Sequence, residues 1–306
     1  MDALSLYTRV ASEHPEHERA PEARYRAGLC YYRLESFGQA VQAWEGVEGD
    51  FAGSSVAVRA AWQIADTYFR ARKYDTAVAT YQRIRDRYAA GPSEAATASL
   101  RIAQSHFNNK SLSLAIPAFE QVIRSYPKSE QAPEALEFLT AILEDPAARS
   151  LATQTLERIG QEMAGSPLGV EARYRLAADL YGRKEYDQAA RMLEAVVADL
   201  MAGSRLADSQ FFLAESYYQR GRYAEAAGAY ERFLTNFPQD DRLALARFRR
   251  ASSVFKAEQY EKAGAGFMEV ARLHPQTEYA PVSLYNAGLA YNKMFAEVTQ
   301  YLRQDN

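Results

Sequence analysis

Small residues recur along this chain at a near-constant interval. Alanines fall at Ala3, Ala40, Ala77, Ala115, Ala152, Ala189, Ala226 and Ala263, 37 residues apart except for one interval of 38. Four residues after each stands a large apolar side chain: Tyr7, Trp44, Tyr81, Phe119, Leu156, Leu193, Tyr230 and Phe267. Three residues further comes another: Val10, Val47, Ile84, Val122, Ile159, Val196, Phe233 and Val270. Small, then +4, then +7 traces one face of an α-helix, here termed helix B. A second set precedes it. Gly28, Ala65, Ala103, Ala177, Ala214, Ala251 and Gly288 share one column, and three residues before them stand Tyr25, Trp62, Leu100, Tyr174, Phe211, Phe248 and Tyr285. This is helix A, whose small residue lets two helices approach closely. Short polar turns closed by an aromatic join A to B: ESF at 35–37, RKY at 72–74, KEY at 184–186, GRY at 221–223 and EQY at 258–260.

Self-similarity at such a period, with two helices per unit and no strand-type alternation, predicts an all-α solenoid. One helix pair cannot bury its apolar face alone, so neighbours stack and share a continuous core. The lack of alternating patterns argues against the α/β scaffolds of most enzymes. Prolines punctuate the array. Pro15, Pro127, Pro238 and Pro275 each lie twelve residues after the helix B alanine and end that helix. Pro21, Pro133 and Pro281 open the next helix A, where a missing N–H costs nothing. The related stretches at 12–24, 124–136 and 271–283 are therefore B-to-A linkers. Residues 1–306 read as a single array of about eight units. It begins in a helix B (1–14) and ends after a helix A (281–294), with Gln300 in the next alanine column. The repeat at 133–164 is degenerate: Glu137 and Arg149 replace aromatics, and Asp145–Pro146 ends its helix A.

Composition narrows the function. Of 306 residues 48% are hydrophobic, and 36 basic against 39 acidic residues leave a formal net charge of −3. That balance argues against a nucleic-acid partner, which needs a basic field to replace counterions on phosphate. One cysteine, Cys30, precludes an intrachain disulfide and reads as a small buried hydrophobe in the helix A register. No run approaches the eighteen or so apolar residues of a membrane span, so no direct membrane insertion is expected. MDALSLYTRV has neither a basic start nor a long apolar stretch, so no signal peptide is expected either. Periplasm, cell envelope and bacterial cytoplasm all stay open.

These columns resemble the tetratricopeptide repeat. The residues YYQRGRYAEAAGAYERFLTNFP at 217–238 are the cleanest copy, and eight registers agree. The usual period is about 34 residues. The three extra here lie in the B-to-A linker, as in YPKSEQAPEA, which looks like the bacterial cell-envelope subfamily: the Tol–Pal coordinator and the outer-membrane-assembly lipoproteins of the BamD type. The resemblance implies a right-handed superhelical α-solenoid and a non-enzymatic scaffold that binds protein or peptide segments on its A helices. No lipid-attachment cysteine stands at the start, a departure from the lipoproteins. An envelope-assembly, export or motility component and a regulatory segment of a larger protein are the alternatives. Self-association through the solenoid ends is a further expectation.

By the family's pattern, partner contacts come from helix A positions turned away from helix B. Here they are Glu22, Leu29 and Arg33; Arg59, Asp66 and Arg70; Thr97, Gln104 and Asn108; Glu171, Ala178 and Gly182; Asp208, Glu215 and Gln219; Leu245, Ser252 and Lys256. Arg33, Arg59 and Arg70 suggest a seat for an acidic or carboxylate-bearing peptide. The alternative is ordinary solvated charge, with Arg59 and Arg70 paired to Asp66. Aromatic pairs seven residues apart, among them Tyr25 and Tyr32, and Trp62 and Phe69, share a helix face. They read either as packing between adjacent A helices or as anchors for a bound segment. No catalytic constellation, cofactor motif or metal site is expected. HPEH at 14–17 is not the HExxH of metalloproteases, and His14 sits in the pre-proline column with Tyr126, Phe237 and His274.

Overall fold

The computed structural model describes residues 3–304. Among them sixteen α-helices occur and no strand. A helix B, α1 (Ala3–Glu13), is followed by seven A/B pairs: α2 (Ala20–Arg33) with α3 (Phe37–Asp50), α4 (Ser55–Arg70) with α5 (Tyr74–Arg83), α6 (Pro92–Asn108) with α7 (Leu112–Ser125), and α8 (Gln131–Ile142) with α9 (Arg149–Glu162). Then come α10 (Pro167–Gly182) with α11 (Tyr186–Val197), α12 (Leu206–Gln219) with α13 (Tyr223–Asn236), and α14 (Leu243–Lys256) with α15 (Tyr260–Leu273). The final helix is α16 (Tyr279–Gln304). No helix among the described residues is long and apolar enough to cross a membrane. The chain is an all-helical α-solenoid in two compact units, Met1–Thr155 and Leu156–Asn306.

The columns read from the sequence form the core. From Ala40 to Ala263 every helix B alanine is fully buried, and Trp44, Tyr81, Phe119, Leu156, Leu193, Tyr230 and Phe267 are at most 2% exposed. Each such side chain contributes roughly 1.5–3 kcal/mol on burial. Its seat on helix A must be small. At Gly28 an added Cβ would lie 2.3 Å from Nε1 of Trp44. The same indole nitrogen donates to the Tyr25 carbonyl at 3.1 Å.

Six of the A-to-B turns repeat one geometry, and the α8–α9 turn of the degenerate repeat does not. In the first, Glu35 N–H bonds the Tyr32 carbonyl and Ser36 N–H bonds the Tyr31 carbonyl, which closes α2 with a left-handed residue. Arg72, Lys110, Lys184, Gly221 and Glu258 take the same conformation, and only one of the six is glycine. A left-handed residue with a Cβ costs about 1–2 kcal/mol. The turns are held by rings on either side: Tyr32–Phe37, Phe69–Tyr74, Tyr181–Tyr186, Tyr218–Tyr223 and Phe255–Tyr260 meet edge to face at 5.2–5.7 Å. The single 38-residue interval has a visible cause. Helix α5 runs on as a π-helical turn, Ile84–Tyr88, and such a turn accommodates one extra residue. In the degenerate repeat Phe138, next to Glu137, stacks on Phe119 with centroids 5.0 Å apart.

The C-terminal end departs from expectation. A helix A was expected at 281–294; α16 instead runs unbroken through Gln304. Residues 294–304, MFAEVTQYLRQ, contain no proline or glycine to stop it.

The second unit contains a buried ion pair between Arg173 and Asp199. Arg173 is 8% exposed; its guanidinium meets Asp199 at 2.6 Å and donates to the Gly169 and Ala195 carbonyls. Asp199 also accepts from the backbone N–H groups of Met201 and Gly165, so it joins two linkers. The Met201 amide, then those of Gly165 and the Arg173 charge, hold its carboxyl below the usual range against the cost of burial.

Gly28→Ala should lower the unfolding free energy by about 1–3 kcal/mol, the cost of overpacking against Trp44. Gly49→Ala, whose Cβ meets nothing within 4 Å, should be neutral or stabilising; paired urea titrations followed by circular dichroism compare them. Asp199→Asn should destabilise at neutral pH. Because the folded carboxyl is depressed, its contribution is present above about pH 4 and lost as pH falls through the folded value. Melting curves of wild type and variant should therefore converge on acidification.

Candidate functional site

The A helices carry the candidate site, and much of their charge is already engaged. A recurrent latch links successive A helices. A carboxylate and an aromatic three residues later on one helix receive an arginine from the next A helix (Arg59) or from the residue just before it (Arg205, Arg242). Arg59 pairs with Glu22 and lies 4.6 Å from the Tyr25 ring centroid. Arg205 pairs with Glu171 at 2.7 Å and lies 4.5 Å from Tyr174. Arg242 pairs with Asp208 at 2.9 Å and lies 4.7 Å from Phe211. Burial alone would push the Glu22 and Glu171 carboxyls up, but their arginine partners outweigh it and both end below the ordinary range.

A second motif pairs buried tyrosines of helix B with carboxylates of helix A. The Tyr81 hydroxyl donates to Asp66 at 2.5 Å, and Tyr230 donates to Glu215, which also receives Arg249 at 3.2 Å. Burial first, then the carboxylate acceptor, raises the Tyr81 phenol; for Tyr230 burial leads, then the Glu215 charge. Tyr181 is pushed up to about 12 by burial and the nearby Glu215 charge.

The residues expected to bind a partner separate accordingly. Asp66 does not turn away from helix B; it accepts the phenol of its own pair. Neither Arg59 nor Arg70 pairs with it: Arg59 takes Glu22, and Arg70 donates to the Tyr32 hydroxyl at 3.2 Å. Gln104 is buried and donates to Glu134 on α8 at 2.8 Å. Asn108 is exposed and donates to the Gln104 carbonyl. Trp62 is half-buried, 5.9 Å from the Tyr81 ring, while Tyr32 and Phe69 staple the turns. Arg33 is exposed and has no ion pair among the described residues. The structure thus brings Tyr32 and Arg70 together and engages Arg59, Asp66 and Gln104 in polar contacts within the array.

Two of the expected contact positions, Ala178 and Gly182, frame an opening on the A face of the second unit. Ala178 and Gly182 occupy columns that hold Asp66 and Arg70, Gln104 and Asn108, or Glu215 and Gln219 elsewhere. Their small size leaves an apolar pocket of about 130 Å³ lined by Tyr174, Ala177, Ala178, Tyr181, Gly182, Leu193 and Phe212. The sequence signal for it is two small residues one turn apart where other repeats carry long polar ones. A larger pocket, about 280 Å³, lies between α14 and α16 with Phe248, Phe255, Lys256 and Leu289 in its wall. No group of three or more His, Cys, Asp or Glu able to hold a metal ion occurs among the described residues.

Helix pairs of this register, with small seats, buried aromatics and proline-bounded linkers, define a tetratricopeptide-repeat protein. Residues 1–50 and 63–130 match the family model described as tetratricopeptide repeat, and residues 169–281 match that described as outer membrane lipoprotein. The chain is a tetratricopeptide-repeat protein that resembles the BamD-type lipoproteins. No curated protein matches its sequence. Among similar solved structures is the C-terminal part of a TPR repeat-containing protein from Cytophaga hutchinsonii: 15% identity, 85% of this chain and 99% of that one, TM-score 0.45. A tetratricopeptide repeat protein from Parabacteroides merdae shares 15% identity over 87% of this chain and 98% of its own, with TM-score 0.38. The TPR2AB-domain–pHSP90 complex of yeast Sti1 shares 12% identity over 90% and 99%, with TM-score 0.38.

The engaged and free arginines should respond differently. Arg59→Glu places like charge beside Glu22 and removes the Tyr25 stack, so it should cost about 1 kcal/mol or more of stability. Arg33→Glu should stay within about 0.5 kcal/mol of wild type. Thermal melts of the two variants provide the comparison.

Proposed function

We propose that this protein is a non-enzymatic scaffold that holds segments of partner proteins against its A helices. The observation that carries this reading is the apolar pocket at Ala178 and Gly182, open on the A face and walled by Tyr174, Tyr181 and Phe212. Concave apolar sites edged by tyrosine are suited to anchoring one bulky side chain of a segment, while main-chain and polar contacts orient the rest. The repeat spacing kept across residues 133–164 supports reading 1–306 as one array. The match of residues 169–281 to the outer membrane lipoprotein model supports a role in cell-envelope assembly.

A second reading concerns the first unit. The exposed Arg33 and Arg70, the latter beside Tyr32, favour an acidic segment there. Arg59 is a weak member of that set, since its charge is spent on Glu22.

Ala178→Trp should fill the pocket while leaving helicity intact, and Arg33→Glu/Arg70→Glu should alter only surface charge. Crosslinking of wild type and both variants in native lysate, read by mass spectrometry, distinguishes the readings. Loss of a crosslinked partner with Ala178→Trp alone places the anchor on the second unit; loss with the arginine pair alone favours the first. Unchanged crosslinks in both folded variants would reject both surfaces.

A further inference from the structure

We propose that the pocket beside Ala178 and Gly182 selects one chemistry: a branched aliphatic side chain of leucine size, in preference to polar, cationic or larger aromatic ones. This rests on the reading of that pocket as an anchor for a partner segment, and it names what is anchored. Ala177 and Leu193, both at most 1% exposed, form the floor, and the rings of Tyr174, Tyr181 and Phe212 stand around it. The volume is about 130 Å³. An apolar cavity of about 150 Å³ stays dry and admits benzene. An isobutyl group therefore fits here, and an indole does not.

The polar atoms of the lining side chains are already engaged. The Tyr174 hydroxyl donates to Asp208 at 3.3 Å, and the Tyr181 hydroxyl bonds Glu215. A polar side chain entering between these rings would give up its water and find no partner there. The rings are also fixed from behind. Tyr181 meets both Tyr186 and Phe212 edge to face at 5.3 Å, and the Arg205 guanidinium lies 4.5 Å from the Tyr174 centroid. The pocket is thus pre-formed, and an occupant need not order it.

Aromatic rings can also hold a cation over their faces. The surrounding charge argues against that occupant. Glu171 pairs with Arg175 and Arg205, Asp208 with Arg242, and Glu215 with Arg249. None of these three carboxylates is left to draw in a positive ligand, and Arg205 already occupies one face of Tyr174. Three negative groups matched by four arginines give a cation no advantage, and a neutral apolar group complements a neutral apolar lining. The small residues set the access: the long polar side chains that other repeats carry in the Ala178 and Gly182 columns would cover the opening.

Methyl resonances of Ala177 and Leu193 report occupancy. The probes are the N-acetyl methylamides of leucine, asparagine and tryptophan, and tetramethylammonium. The leucine probe should bind roughly ten-fold or more tightly than its near-isostere asparagine, and more tightly than the other two. Ala178→Trp, at an exposed position, should abolish the shifts while circular dichroism verifies the fold. Equal affinity for the leucine and asparagine probes, or tighter binding of tryptophan or tetramethylammonium, would overturn the selectivity and leave the anchor reading standing. Shifts that persist in the folded variant, or no shift with any probe, would overturn the inference and the anchor reading together.

Discussion

The array rests on one contact repeated along it: a bulky side chain on the second helix of each pair pressed onto a small residue of the first. Dispersion falls steeply with separation, so the contact stabilises only if the two backbones come close. That proximity requires Gly28 under Trp44, and alanine in the matching column where the knob is Tyr81, Phe119 or Tyr230. Every other regularity is arranged around this approach. The left-handed turn residue keeps the connection short, the ring pair across the turn clamps its two ends, and the linker prolines release the chain once the knob has been seated.

The knob also explains where polar groups are buried. A tyrosine in that position carries a hydroxyl into the interior, and an unpaired buried hydroxyl costs about 1–3 kcal/mol. Asp66 and Glu215 meet this need for Tyr81 and Tyr230. Where the knob is Phe119 or Phe267, the matching helix A position is Gln104 or Ser252, with no carboxylate. Trp44 uses the Tyr25 carbonyl instead.

The helix pair, its period and its core columns are legible in the sequence because seat and knob recur at fixed spacing. The candidate site is legible only in part. A 100° helical wheel turns Asp66 away from helix B, yet the long phenol of Tyr81 reaches across the helix to it. Arg59 looks free because its partner, Glu22, lies a whole repeat earlier. Ala178 and Gly182 stand among the contact positions the sequence indicates, but the pocket their small size opens between Tyr174, Tyr181 and Phe212 depends on how the rings pack, which the sequence does not give. The 38-residue interval is visible in the sequence, but its absorption into a π-helical turn is not, since helix and linker could each accept one more residue.

The latches between A helices have a mechanical side. Arg59, Arg205 and Arg242 each connect one repeat to its neighbour through a partly solvated ion pair as well as through a ring. Ions screen the first of these over about 8 Å at physiological ionic strength, and hardly touch the second. Added salt therefore softens the joints between repeats without dissolving the helix pairs. Within each unit, the solenoid behaves as a spring whose compliance is set by the surrounding electrolyte.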